Sequence, residues 1–227
     1  MVPGMETIKL KSPADGFEFT ALHAQPAGPR KGGVIVLQEI FGIDEYVEAD
    51  VKRWADAGYE ALAPSLFDRR EPGFKAGHDE AGFAAGRENA MSTPLDQAIA
   101  DIAACRDFLA ERGPVFIVGY CYGGSLVWLA CGQLDGLAAG SSYYGSLVKA
   151  NAALTPRCPV IVHLGGKDAF IPADEVKAAV EAAQPRVPVY VYESGDHAFN
   201  NEGSPRYDEA SAELARRRTL ELFEAHA

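Results

Sequence analysis

The chain has 227 residues, 48% hydrophobic and 23% charged, a balance typical of a water-soluble globular protein and not of a disordered one. Its formal net charge of −11 speaks against a nucleic-acid binder, which carries a basic patch, and offers anionic substrates no long-range attraction. Four cysteines, at 105, 121, 131 and 158, fit neither a disulfide framework nor a Cys-x-x-Cys pair, and the N-terminal stretch lacks the apolar run of a signal peptide, so free thiols in a cytoplasmic setting are expected.

Two short strands open the chain, near 7–11 and 17–24. GGVIVLQ (32–38) is a compact, β-branched apolar run, the pattern of a strand covered on both faces. Asp44 can cap a helix whose Val47, Val51 and Trp54 share one face, and Gly58 suits the left-handed residue that ends it. YEALAP (59–64) is the next strand. Residues 65–92 are rich in glycine and charge with weak periodicity; they predict a long irregular excursion with room for a short helix, a candidate lid or substrate loop. Thr93-Pro94-Leu95-Asp96 predicts a helix start, with the Thr93 hydroxyl as cap and an apolar stripe of Leu95, Ile99, Ile102 and Leu109.

Gly113 to Leu134 carries no charged residue and is long enough for a membrane span, but Pro114 and five glycines interrupt it. A buried strand VFIVGY (115–120), a turn and a buried helix LVWLACGQL (126–134) explain it better. LAAGSSYYG (137–145) and PVIVHLGG (159–166) predict two further strands, Pro172 a helix to about 183, and VPVYVYE (187–193) the last strand. A closing helix follows from about 206, with Tyr207, Ala210, Leu214 and Leu222 on one side and Leu220 and Phe223 off it. Strands alternating with helices predict one α/β domain over 1–227, a mainly parallel twisted sheet with helices on both faces.

The chemistry centres on GYCYGG (119–124). Gly-x-nucleophile-x-Gly, where a buried strand turns into a helix, is a nucleophile elbow. The strained turn lifts the Cys121 side chain above the sheet, and glycines two residues away avoid a Cβ collision. The following helix aims its N-terminus at the sulfur, and the Tyr122 amide can bind a developing oxyanion. A nucleophile needs a base and the base an orienter, in the order nucleophile, acid, histidine. GGKDAFIP offers Asp168 and ESGDHAFN offers His197, each after a strand, where open α/β sheets build their sites. Cys105, Cys131 and Cys158 read as packed thiols. His163 lies inside a strand and reads as a core residue; His23, His78 and His226 have no partner visible in the sequence. No zinc, calcium or phosphate-loop motif occurs, so neither metal nor nucleotide cofactor is expected.

VLQEIFGI (36–43), GYCYGG (119–124), SYYG (142–145), GGKDAFIP (165–172) and GDHAFN (195–200) together resemble the dienelactone hydrolase family, a cysteine-nucleophile branch of the α/β-hydrolases. The resemblance implies an α/β-hydrolase fold and Cys121, Asp168 and His197 as the triad. It also implies a role for Glu39, whose family counterpart contacts the resting thiol and is released by substrate to take its proton. The Ile40 amide would join that of Tyr122 as the oxyanion hole. The implied reaction is acyl transfer from an enol lactone or activated ester through a thioester on Cys121. Family members hold the substrate carboxylate with two arginines. One lies a few residues past the histidine, where this chain has Asn201; for the other, Arg69, Arg70 and Arg87 of the excursion are candidates. Tyr144, in the matching SYYG stretch, is a further candidate substrate contact. Two other readings stand beside this one: a broad carboxylesterase for neutral esters, and a non-catalytic ligand-binding or redox-sensing domain. The expected partner is a small-molecule substrate, with neither nucleic acid nor membrane, and monomer is the default.

Overall fold

The protein is described by a computed structural model covering residues 4–227. Its strands follow the order β1-β2-β4-β3-β5-β6-β7-β8, and the described residues divide into two compact units, one ending at Ile117 and one running from Val118 to Ala227, with β5 (Val115–Tyr120) running from the first into the second.

In the first unit β1 (Met5–Lys11) and β2 (Glu18–Ala24) pair antiparallel, β2 pairs antiparallel with β4 (Tyr59–Pro64), and β4 lies parallel to β3 (Gly32–Leu37). Every residue of β3 and β4 is buried, as expected of strands covered on both faces. Helix α1 (Glu45–Asp56) starts as expected: the Asp44 carboxylate accepts from the Val47 N–H at 3.0 Å, and Val47, Val51 and Trp54 are buried. Gly58 follows at φ +96°, a conformation that glycine adopts without strain. One buried charge in β4 needs explaining. Glu60 is held by Arg30 at 2.7 Å, Arg112 at 2.7 Å and His23 at 2.8 Å, so the partner of His23 comes from a strand 37 residues away.

Two expectations for this unit need correction. The excursion contains a 13-residue helix, α2 (Glu80–Ser92), capped by Asp79, whose side chain accepts from Gly82 N at 2.8 Å. Its periodicity is weak because its buried face is Gly82, Gly86 and Asn89; a Cβ on Gly86 would sit 2.2 Å from the Ile40 carbonyl oxygen. Thr93 does not open α3 (Leu95–Ala110) but closes α2, its hydroxyl donating back to Asn89 O at 2.8 Å. Helix α3 starts instead on Pro94 with no side-chain cap, and Leu95 is 41% exposed, outside the stripe of Ile99, Ile102 and Leu109.

The second unit carries α4 (Tyr122–Gln133), β6 (Ala139–Tyr143), a short 3-10 turn at Lys149–Asn151, β7 (Val160–Gly165), α5 (Ala173–Ala183), β8 (Val189–Tyr192) and α6 (Glu209–Glu224). β6 and β8 flank β7, both parallel to it. The uncharged run 113–134 thus resolves into β5, a turn and the buried helix α4; among the described residues no helix is long and apolar enough to cross a membrane. The expected stripe of α6 is corrected: the buried face is Ser211, Ala215, Thr219 and Phe223, with Tyr207 outside the helix and Ala210 exposed. Two hydroxyls break the apolar pattern there. Thr219 Oγ1 meets Ser141 Oγ at 2.8 Å, Tyr143 Oη at 2.9 Å and His163 Nε2 at 3.2 Å. His163 is fully buried, and burial holds its pKa down at about 3, with the nearby Arg218 charge adding to the effect. It is a neutral core residue, as its place in a strand implied.

Candidate active site

Strand β5 delivers the chain to Cys121, the cap residue of α4, at φ 53° and ψ −110°. This positive φ is costly for a residue with a Cβ. It is held in place from β6. The Cys121 N–H donates to Tyr143 O at 3.1 Å, Ser125 N closes the first turn on Cys121 O at 3.0 Å, and the Ser142 hydroxyl donates to Gly124 O at 2.8 Å. The close approach explains Gly124: a Cβ there would stand 2.1 Å from Tyr143 O. The helix begins immediately after the sulfur-bearing residue, so its first-turn amides and positive dipole end lie next to it.

Strand β7 ends at Gly165, and Asp168 follows with a side chain only 1% exposed. One carboxylate oxygen, Oδ1, accepts from the amides of Phe170 at 2.8 Å and Ile171 at 3.0 Å. The other, Oδ2, is 2.7 Å from His197 Nδ1. Two fixed amides therefore aim the acid at the ring. His197 stands in the loop after β8, which a backbone bond from Lys167 N to Gly195 O, 2.8 Å long, ties to the Asp168 loop. With Nδ1 committed to Asp168, the ring is also hydrogen-bonded to the Cys121 side chain. Burial opposes charge on this imidazole, but the hydrogen bonds with Asp168 and Cys121 and their charges outweigh it and push the pKa up to about 10. The arrangement can relay a proton from a sulfur nucleophile to a base that an acid orients, the requirement for acyl transfer.

Among the described residues three non-glycines have positive φ: Cys121, Tyr144 at 36° and Ala198 at 64°. All three belong to this constellation. Ala198 follows His197, and the Tyr144 ring lies 4.8 Å from the His197 ring. Tyr144 is fully buried and its hydroxyl donates to Asn200 Oδ1, so it shapes the wall beside the imidazole. Backbone strain concentrated at one place is a mark of function, and at Tyr144 and Ala198 no sequence pattern displays it. Phe170, 63% exposed, stands edge-on to His197 at 5.6 Å, and the Arg206 guanidinium lies 5.5 Å from its ring centre. Both were missed in the sequence; only the position of Phe170 two residues after Asp168 could have suggested it.

The carboxylate-binding candidates fare differently. Arg69 is spent on structure: its guanidinium holds Asp15 at 2.6 Å and Asp101 at 2.8 Å and stacks 4.5 Å from the Phe17 ring. Asn201 is fully buried, its Oδ1 accepting from Gly203 N at 2.9 Å, which makes it a turn residue. Arg70 is exposed, 3.6 Å from Glu88, and Arg87 is exposed on α2. Glu39 is 4% exposed, two residues past β3, and Ile40 supports α2 through the close contact at Gly86. Among the described residues no group of three or more His, Cys, Asp or Glu side chains could hold a metal ion.

Comparison with known proteins follows the same lines. Residues 19–227 match the model of the dienelactone hydrolase family. A carboxymethylenebutenolidase of Pseudomonas putida is 31% identical over 229 residues, covering 96% of this chain and 95% of that protein. The crystal structure of a Klebsiella pneumoniae protein assigned as a dienelactone hydrolase superposes with a TM-score of 0.83 at 30% identity, covering 96% of this chain and 98% of that one. A dienelactone hydrolase-like promiscuous phosphotriesterase from metagenomic libraries, at 21% identity and a TM-score of 0.71 over 98% of this chain and 99% of that one, shares the α/β-hydrolase fold.

Proposed function

Because the chain belongs to the dienelactone hydrolase family, we propose that this hydrolase opens enol lactones or cleaves activated esters through a thioester on Cys121. The observation that carries the reading is the hydrogen-bonded order Cys121, His197, Asp168, with the sulfur on a strained turn at the start of α4.

Cys121 Sγ attacks the substrate carbonyl and a C–S bond forms. The oxyanion rests on the Tyr122 amide, joined by that of Ile40 as the family resemblance implies. The C–O bond then breaks and the enolate leaves. The enolate takes the proton that His197 holds, and acylation has removed the sulfur charge that kept it there; His197, now neutral and held by Asp168, takes a proton from water, the hydroxide formed attacks the thioester, and the Cys121 thiolate departs as the acid is released. The leaving group selects the substrate. A thiolate, conjugate base of an acid of pKa about 8.5, is expelled far more readily than an alkoxide, so a plain alkyl ester falls back to starting material. An enolate competes on better terms. Glu39, buried after β3, is assigned the thiol proton: Glu39→Gln is expected to change the alkylation rate of Cys121 by several-fold without substrate, and an unchanged rate removes that assignment.

A second reading, neutral activated esters, is favoured by the commitment of Arg69 to Asp15 and Asp101 and by an asparagine at 201. Turnover of carboxylated dienelactones and of neutral aryl esters, compared in wild type and Cys121→Ala, tests both. Preference for the dienelactone supports the first, preference for the neutral ester the second, and full activity of Cys121→Ala contradicts both.

A further inference from the structure

A second sulfur site lies at the far end of α4, ten residues from Cys121. Cys131 is buried in the last turn of that helix and Cys158 is half-buried two residues before β7. The two side chains are near enough for each thiol to affect the ionisation of the other. Three further contacts hold the two segments together. The Arg157 N–H donates to Cys131 O at 2.7 Å, and Trp128 Nε1 donates to Asn151 O at 2.9 Å. Gly132 permits the approach, since a Cβ there would fall 2.3 Å from Leu154 Cγ. The Arg157–Cys131 backbone hydrogen bond holds the residue before Cys158 against Cys131. Cys158 also lines a cavity of about 650 Å³ with Arg157, Gln184 and Arg186 among its walls.

The two thiols are unequal. The hydrogen bond from Cys131 lowers the Cys158 pKa against the opposing effect of burial. The same bond, then burial and the Cys158 charge, hold Cys131 well above its ordinary value. Cys131 is buried and Cys158 only partly so, and burial disfavours a thiolate, so the more accessible sulfur ionises first with a buried thiol beside it. Redox-active pairs divide their work in this way: one cysteine meets the oxidant and the other resolves it.

We propose that Cys158 and Cys131 are a peroxide-reactive dithiol, a modification site separate from the hydrolytic centre. The Cys158 thiolate attacks the O–O bond of a hydroperoxide. An S–O bond forms, the O–O bond breaks, and the departing oxygen takes a proton to leave as an alcohol or water. Cys158 is then a sulfenic acid. The Cys131 sulfur attacks it, the S–S bond forms, the S–O bond breaks, and hydroxide leaves as water with the Cys131 proton. Two thiols have lost two electrons and one hydroperoxide has gained them. The bond fixes the end of the helix that begins at Cys121 to the segment leading into the strand that precedes Asp168.

The test uses full-length Cys121→Ser protein, so that the catalytic sulfur consumes no oxidant, treated with hydrogen peroxide and examined by intact-mass and peptide mapping. The expected product is lighter by about 2 Da, carries a 131–158 linked peptide and reverts with dithiothreitol. In Cys131→Ala/Cys121→Ser, Cys158 is expected to gain about 32 Da as a sulfinic acid instead. Should Cys131→Ala fail to fold, Cys158→Ser/Cys121→Ser serves in its place and is expected to show neither change. The proposal is overturned if Cys158 accumulates as sulfinic acid with Cys131 present, if the linked peptide joins two chains, or if both thiols stay reduced at peroxide levels that oxidise free cysteine.

Discussion

Asp168 Oδ2 lies 2.7 Å from His197 Nδ1 while the same carboxylate is pinned through Oδ1 by the amides of Phe170 and Ile171. The acid is thus aimed before the histidine arrives, and the tautomer of the ring follows from it. Asp168→Asn keeps the shape and puts an amide where the acceptor stood. The expected result is a loss of about 10²–10⁴-fold in kcat/KM with near-native circular dichroism. A loss under tenfold would show that His197 does not depend on this contact.

His197 carries a pH signature. Burial opposes its charge, yet the bonds with Asp168 and Cys121 push its pKa up to about 10 from the ordinary 6.5. A group raised in this way adds stability that is complete below pH about 6.5 and is lost as the pH rises through about 10. Denaturant unfolding of wild type and His197→Asn should therefore show a gap that narrows by on the order of 1–3 kcal/mol between pH about 6 and about 10.5. A gap that stays constant or widens over this window contradicts the assignment.

The elbow depends on Gly124 for space. A methyl at that position meets Tyr143 O at 2.1 Å, and that atom is backbone and already accepts from Cys121 N–H. Gly124→Ala is expected to cost about 1–3 kcal/mol by overpacking and to reduce turnover by displacing the sulfur. Equilibrium denaturation with parallel assays decides it; a variant with native stability and rate would show that the turn does not need this approach.

Much of this molecule is legible in its sequence because one signal dominates at each place. β3, β4 and β5 are buried throughout; β3 and β5 read as uninterrupted apolar runs and β4 as one broken only by Glu60; Asp44 is both a capping residue and the start of an amphipathic pattern. The candidates Cys121, Asp168 and His197 are visible because a glycine-bounded cysteine, an acid and a histidine each follow a strand. The failures have a common cause, which is burial achieved without apolar side chains. Helix α2 buries two glycines and an asparagine, and α6 buries Ser211 and Thr219. Arg69 reads as a surface cation because Asp15 and Asp101 lie 54 and 32 residues away. Strain at Tyr144 and Ala198 is a property of the backbone and leaves no trace in residue type.

The hydroxyl stripe of α6 makes its own prediction. Thr219 Oγ1 lies within hydrogen-bond reach of Ser141, Tyr143 and His163, and its hydroxyl donates to Ala215 O at 3.0 Å. Thr219→Val keeps the volume and leaves those buried groups short of a partner. A cost of about 1–3 kcal/mol is expected in urea unfolding, with kcat nearly unchanged. No measurable cost would mean that the network rearranges freely.

The central claim is that Cys121 carries the acyl group. Rapid quenching of His197→Asn with an enol ester, followed by peptide mass analysis, tests it most directly, since this variant loses the base for thioester hydrolysis. The account predicts that the peptide containing Cys121 gains the mass of the acyl group and that Cys121→Ala gains none and turns over no substrate. Acylation at another residue, or turnover by Cys121→Ala at the wild-type rate, would contradict it.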